Sequence, residues 1–146
     1  MQKFAFRLES VLKLKVQMED NAKNNLARST KELERQKAYL EELNNVKNAS
    51  VSSLSGEVDE GIPVYRVRLY NNYLSLMKEK IINQKENVNV AQDNVDTNRE
   101  GLIKAMQERK VIEKLKERKF EDYIKEQNKS EQIIIDELNS FKFKDS

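Results

Sequence analysis

The stretch "SGEVDEGIP", residues 55–63, holds two of the three glycines and the only proline of a 146-residue chain. Almost nothing else in the sequence would stop a helix. Concentrated breakers between two long stretches of good helix formers mark a turn joining two helices. The preceding Ser-rich run "ASVSSLSG", residues 49–56, is expected to fray the first helix, with Gly56 as its left-handed stop. Pro63 suits the first turn of the second helix, where its missing N–H is not needed. The expected elements are a helix over about 4–53, a turn over about 54–63, a helix over about 64–141 and a frayed tail at 142–146, forming one coiled-coil domain across 1–146.

Working outward, apolar residues recur at helical spacing in both arms. Before the break they are Phe4, Leu8, Val11, Met18, Ala22, Leu26, Leu33, Leu40 and Leu43, with Leu26, Leu33 and Leu40 a heptad apart. Lys15, Glu19, Ser29 and Gln36 fall at core-type positions and weaken that seam. After the break Ile81, Val88, Val95 and Leu102 form a second heptad row, which shifts phase through Met106, Ile112 and Leu115. Gly101 inside this row costs about 1 kcal/mol against alanine and need not break a helix. "VYRVRLY", residues 64–70, alternates too briefly to argue a strand. A short connection between two long amphipathic helices favours antiparallel neighbours. The expected fold is all-α: an elongated antiparallel two-helix coiled-coil hairpin with a longer second helix.

The arms are unequal. With the turn centred near residue 60, a residue i lies opposite roughly 119 minus i in an antiparallel pair. Leu43 then faces the neighbourhood of Leu76, Leu33 that of Val88, and Leu8 that of Ile112. Phe4 reaches only to about Leu115, which leaves everything after Lys116 without an intramolecular partner. That overhang carries Phe120, Tyr123, Ile124, Ile133, Ile134, Ile135, Leu138, Phe141 and Phe143. A single helix cannot bury such a stripe, and contiguous exposed apolar surface marks an interaction site. Self-association or a fold-back onto the start of the first helix is the plainer reading; a different protein as partner is the sharper one.

Composition excludes several function classes. Charged residues make up 36% and aromatics 7%, which suits thin helical seams better than a thick core. A net charge of +2 argues against general affinity for nucleic acid or anionic membrane. Residues 104–119, "KAMQERKVIEKLKERK", carry seven Lys or Arg against three Glu, a local basic patch better matched to an acidic protein than to nucleic acid. There is no cysteine, hence no disulfide, thiolate nucleophile or zinc–cysteine site, in keeping with a reducing cytoplasm. There is no histidine, the usual proton shuttle at neutral pH, and no phosphate-cradling glycine loop. An enzyme is not expected, nor is any cofactor or metal. No apolar run approaches the roughly 18 residues of a membrane span, and the opening "MQKFAFRLESVLKLK" is too charged for a signal peptide.

Four stretches, in order, carry a family resemblance. "FAFRLESVLKLKVQMEDNAKNNLA" (residues 4–27), "YNNYLSLMKEKI" (70–81), "LIKAMQERKVIEKLKER" (102–118) and "QIIIDELNS", with Asp136 and Glu137, resemble the FliJ family of flagellar type III export proteins. Met77 stands where an aliphatic branched residue is more usual in that family. The resemblance implies a stalk-like coiled coil, cytoplasmic and peripheral at the membrane-embedded export apparatus. Its implied partners are the hexameric flagellar export ATPase, whose assembly and activity it promotes, the membrane export gate protein, and export chaperones.

On that reading the ATPase contact falls on Phe4, Arg7, Leu8 and Val11 from the first arm, with Lys116, Phe120, Tyr123, Ile134, Asp136, Glu137 and Leu138 from the second. An export-gate contact nearer the turn falls on Tyr39, Leu43, Val46, Tyr73 and Met77. The plainer reading of these last residues is that they pack the two arms together. The competing function class is a homodimeric coiled-coil scaffold without an export role.

Overall fold

A computed structural model describes residues 3–144. Two helices account for nearly all of them: α1, Glu9–Glu60, and α2, Val64–Lys144, of 52 and 81 residues. They pack against each other antiparallel, the second is the longer, and no strand occurs among the described residues.

The turn is tighter than expected, and the reason lies in which glycine acts. Gly56 is helical and has open space around it, so α1 runs straight through the serines. Gly61 is the stop instead. Its φ of 85° is left-handed, and its N–H donates to the Val58 carbonyl at 3.1 Å. Pro63 sits just before α2, where its carbonyl accepts from the N–H groups of Arg66 and Val67 at 3.1 and 3.4 Å. An ion pair from Arg66 to Glu57, 3.0 Å long, closes the turn. Residues 61–63 are therefore the whole connection.

The start of α1 also differs. The expected helix from residue 4 begins only at Glu9, and residues 3–8 form a non-helical segment. At the other terminus α2 continues through Lys144, beyond the expected end at 141. Of the anticipated frayed tail, residues 145 and 146 lie outside the described residues.

The chain divides into two compact units. Ala22–Leu102 contains the turn and two apolar clusters. Leu33, Ala91 and Val95 form one, flanked by Leu26 and Val88; Leu43, Met77 and Ile81 form the other, flanked by Leu40. Val95 is the most buried apolar side chain described, at 2% exposed. Most of these are the heptad residues of the two arms, and burying each of the large aliphatic side chains contributes on the order of 1.5–3 kcal/mol.

Between the clusters lies a polar layer. Gln84, 3% exposed, donates to the Gln36 carbonyl oxygen at 2.9 Å and to its side-chain Oε1 at 2.7 Å, and it accepts from Asn87 at 3.0 Å. Gln36 passes the network on to Glu32 at 2.7 Å, and Arg35 grips the same carboxylate at 2.7 and 3.0 Å. Those bonds hold the Glu32 carboxyl below its ordinary range, Arg35 first and Gln36 second, and they push the Arg35 guanidinium correspondingly upward.

The other unit, Met1–Asn21 with Ile103–Ser146, has a thinner apolar seam. Ala105 is buried, while Leu8, Val11, Leu12, Ile112 and Leu115 are half-buried. Polar cross-links supplement it. Glu19, 6% exposed, accepts from Arg109, whose Nη1 also donates to Glu113 at 2.7 Å. The Glu113 bond and then the Glu19 bond raise the Arg109 pKa above its ordinary range. Lys15 pairs with Glu108 at 3.2 Å, and Lys116 with Glu9 at 2.8 Å.

Candidate interaction surfaces

Residues 3–8 bring the first predicted contact together in an unexpected register. The Phe4 ring lies edge-on to Phe120, centroids 5.2 Å apart, and tilted against Tyr123 at 5.6 Å; Phe120 and Tyr123 stack at 6.3 Å. Three mutually packed rings contribute about 0.5–1.5 kcal/mol per pair beyond area burial. A helical start would set Phe4 opposite Leu115 and leave Phe120 and Tyr123 unpartnered. A non-helical chain advances up to about 3.3 Å per residue against 1.5 Å in a helix, so the segment before Glu9 reaches further along α2. Intramolecular ring contacts thus extend along α2 past Lys116, as far as Tyr123.

Beyond the rings the apolar residues of α2 are exposed: Ile124, Ile133, Ile134, Ile135, Leu138 and Phe141 among them, with Leu138 59% exposed. Phe120, Ile124, Gln127, Glu131, Ile134, Leu138 and Phe141 follow each other at alternating steps of four and three. That is a coiled-coil seam with two polar positions at its middle. Asp136 and Glu137 beside it are exposed, and Gln132 donates to Asp136 at 3.0 Å. Arg7 is exposed, whereas Leu8, Val11 and Lys116 are half-buried against the paired helices.

The second predicted contact is divided by the structure. Leu43 and Met77, at 7% and 5% exposed, belong to the core between the two arms and face no solvent partner. The heptad row that runs through Leu26, Leu33 and Leu40 carries on into Leu43, and Met77 faces it across the seam. Tyr39, Val46 and Tyr73 remain exposed on the same unit. Ser50, Tyr65, Arg66 and Leu69, which were not among the expected contact residues, extend this surface by lining a cleft of about 450 Å³ together with Tyr70 and Tyr73. The signal for it is the step of four through Tyr65, Leu69 and Tyr73.

Among the described residues no cluster of acidic or other ligating side chains could hold a metal ion, and no helix is long and apolar enough to cross a membrane.

Comparison with known proteins matches the family model of the flagellar FliJ protein over residues 3–146. No curated protein matches the sequence. Among solved structures, a chain from Chlamydia trachomatis described as a YscO homolog is similar at 22% identity, covering 95% of this chain and 94% of that one, with a TM-score of 0.49. The family match takes in both helices, the turn and the exposed seam, and the chain therefore belongs to the FliJ family, components of flagellar type III protein export.

Proposed function

We propose that this protein is a non-enzymatic stalk and escort component that binds the hexameric flagellar export ATPase and promotes its assembly and activity. The observation that carries this reading is the seam on α2 from Ile124 to Phe141, helical, with exposed apolar residues at coiled-coil spacing on either side of Gln127 and Glu131. Its occupant is another protein. The contact uses Phe120, Tyr123, Ile134, Asp136, Glu137 and Leu138, with Val11 and Lys116 beside it and the segment bearing Phe4, Arg7 and Leu8 lying next to its first rings.

Self-pairing is the rival, as in a homodimeric scaffold, and the seam disfavours it. In a symmetric antiparallel pair with Phe120 opposite Phe141, the two-fold axis falls between Ser130 and Glu131, so the two Glu131 side chains come close to each other across the seam. Like charges at such a layer are destabilising, while a different helix supplies a neutral or basic residue there.

Nearer the turn, Tyr39, Val46 and Tyr73 with the cleft beside Tyr65 and Leu69 form the contact for the membrane export gate protein; export chaperones are further partners. Membership in the family supports all three assignments.

The test is ATP hydrolysis by the cognate export ATPase with and without this protein. Addition should raise the rate. A variant lacking residues 128–146 should lose the effect while Phe4, Phe120 and Tyr123 and the helical pair remain. Full stimulation by that truncated chain would overturn the assignment, and a concentration-independent dimer by light scattering, lost on the same truncation, would favour the scaffold.

A further inference from the structure

We infer that residues 3–8 are an intramolecular strap that masks the first turn of the α2 seam and must leave before a partner helix can occupy the whole of it. This rests on the reading of α2 as a partner-binding helix. The seam runs unbroken in spacing from Phe120 through Ile124 to Phe141, yet its two ends differ. Phe4 packs against the rings of Phe120 and Tyr123, leaving Phe120 47% exposed, while Ile134, Leu138 and Phe141 are 56%, 59% and 67% exposed. A helix laid along the seam would continue in register onto Phe120, where it meets Phe4. Strap and partner therefore compete for the same ring surface.

The strap is built to be displaceable. It lies outside any helix, and its backbone is tied to α1 only by the Phe6 and Leu8 carbonyls, which accept from Glu9 and Leu12 at 3.1 and 2.9 Å, so its movement breaks only the first bonds of that helix. Its anchor is the pair of ring contacts to Phe4, with Phe6 and Leu8 half-buried, and the neighbouring Glu9–Lys116 ion pair is partly exposed and hence weak. An exposed phenylalanine edge, Phe120 at 47%, is already available as a foothold for an incoming side chain. A strap closed nine-tenths of the time lowers the apparent affinity of a competing partner about tenfold.

The sign of one substitution decides the matter. Phe4→Ala should strengthen binding of the export ATPase roughly five- to tenfold. Were Phe4 instead a component of the bound surface, the same change would weaken it. The absence of cysteine from the chain allows the opposite perturbation. Lys3→Cys with Asp122→Cys, both lining one cleft beside Tyr123, can be bridged by a short bis-maleimide to hold the strap down. The bridged protein should bind more weakly than the unbridged one. Independently of the ATPase, the fluorescent apolar dye anilinonaphthalene sulfonate should bind Phe4→Ala about twice as strongly as wild type and the bridged protein no more than wild type. Should neither variant nor wild type bind the ATPase, the partner reading falls and the dye still judges the strap. Equal or weaker ATPase binding by Phe4→Ala, or equal dye binding, overturns the strap.

Discussion

Replacing Gln84 separates what this buried amide contributes to stability from what it contributes to register. Its amide group donates two bonds to Gln36, at 2.9 and 2.7 Å, from a site 3% exposed. At about 1 kcal/mol net each, the two bonds contribute roughly 2 kcal/mol. Gln84→Ala removes them and leaves unfilled volume between the helices, for a total loss of about 2–4 kcal/mol. For a chain of this length that lowers the melting temperature by roughly 5–10 °C.

Gln84→Leu is the informative contrast. It loses the same bonds but buries an apolar side chain worth about 1.5–3 kcal/mol, so stability should stay near wild type. Pairing specificity should suffer, because a polar layer in a coiled-coil seam penalises slipped registers. Circular dichroism melts measure the first effect. Spin labels on Glu41→Cys and Lys80→Cys, both exposed in the wild type, measure the second, as a broadened distance distribution in Gln84→Leu. Should Gln84→Ala melt within about 0.5 kcal/mol of wild type, the amide network does not bridge the helices as described.

The two turn-region glycines should respond oppositely. Gly56→Ala, at a helical position with open space around it, should stabilise by about 0.5–1 kcal/mol, whereas Gly61→Ala, at φ 85°, should destabilise by about 1–2 kcal/mol; urea melts of both test which glycine stops α1. Glu32 has a carboxyl pKa lowered in the folded chain, so its contribution is present above the ordinary carboxylate range and is lost as pH falls through the lowered value. Glu32→Gln should therefore flatten the acid limb of the stability–pH curve without shifting its neutral or alkaline limb. Tyr73→Asp should weaken binding to the export gate protein at least tenfold while leaving the ATPase stimulation intact; loss of both would show a folding defect or a single shared surface.

Much of the pairing was legible in the sequence because a two-helix seam repeats its signal. Leu33, Leu43, Ile81 and Val95, chosen for their spacing, are all buried. The polar interruptions of that seam were legible only as weaknesses. Gln36, Glu19 and Lys15 turn out to meet Gln84, Arg109 and Glu108, partners that lie 48 to 93 residues away. No local pattern announces such a match, since it depends on the register, and the register depended on the turn. There the reading failed by five residues, because Gly56 and Gly61 are equally good stops in isolation and only the helix continuing through Ser52, Ser53 and Ser55 decides between them. The non-helical start escaped for a similar reason. Phe4 and Leu8 fit a helical period, but packing of Phe4 on Phe120 and Tyr123 outweighs the weak local preference of a short terminal turn. That same miss left out the ring contacts that Phe4 makes with Phe120 and Tyr123, while Leu43 and Met77 stood among surface candidates when they belong to the interior.

Within Ala22–Leu102 no apolar side chain is shielded on every side by neighbours from a third element, because only two helices are there to supply neighbours. Each layer of the seam leans on the layer above and below and on little else. Such a pairing opens like a zip: a few teeth at a time, each at its own modest cost, with no single barrier guarding the whole. Amide hydrogens near Val95 should then exchange slowly and those near the glycine turn quickly, in a graded series. A partner that inserts a side chain between the two sides of this zip would need to separate only a tooth or two, and the remainder would hold.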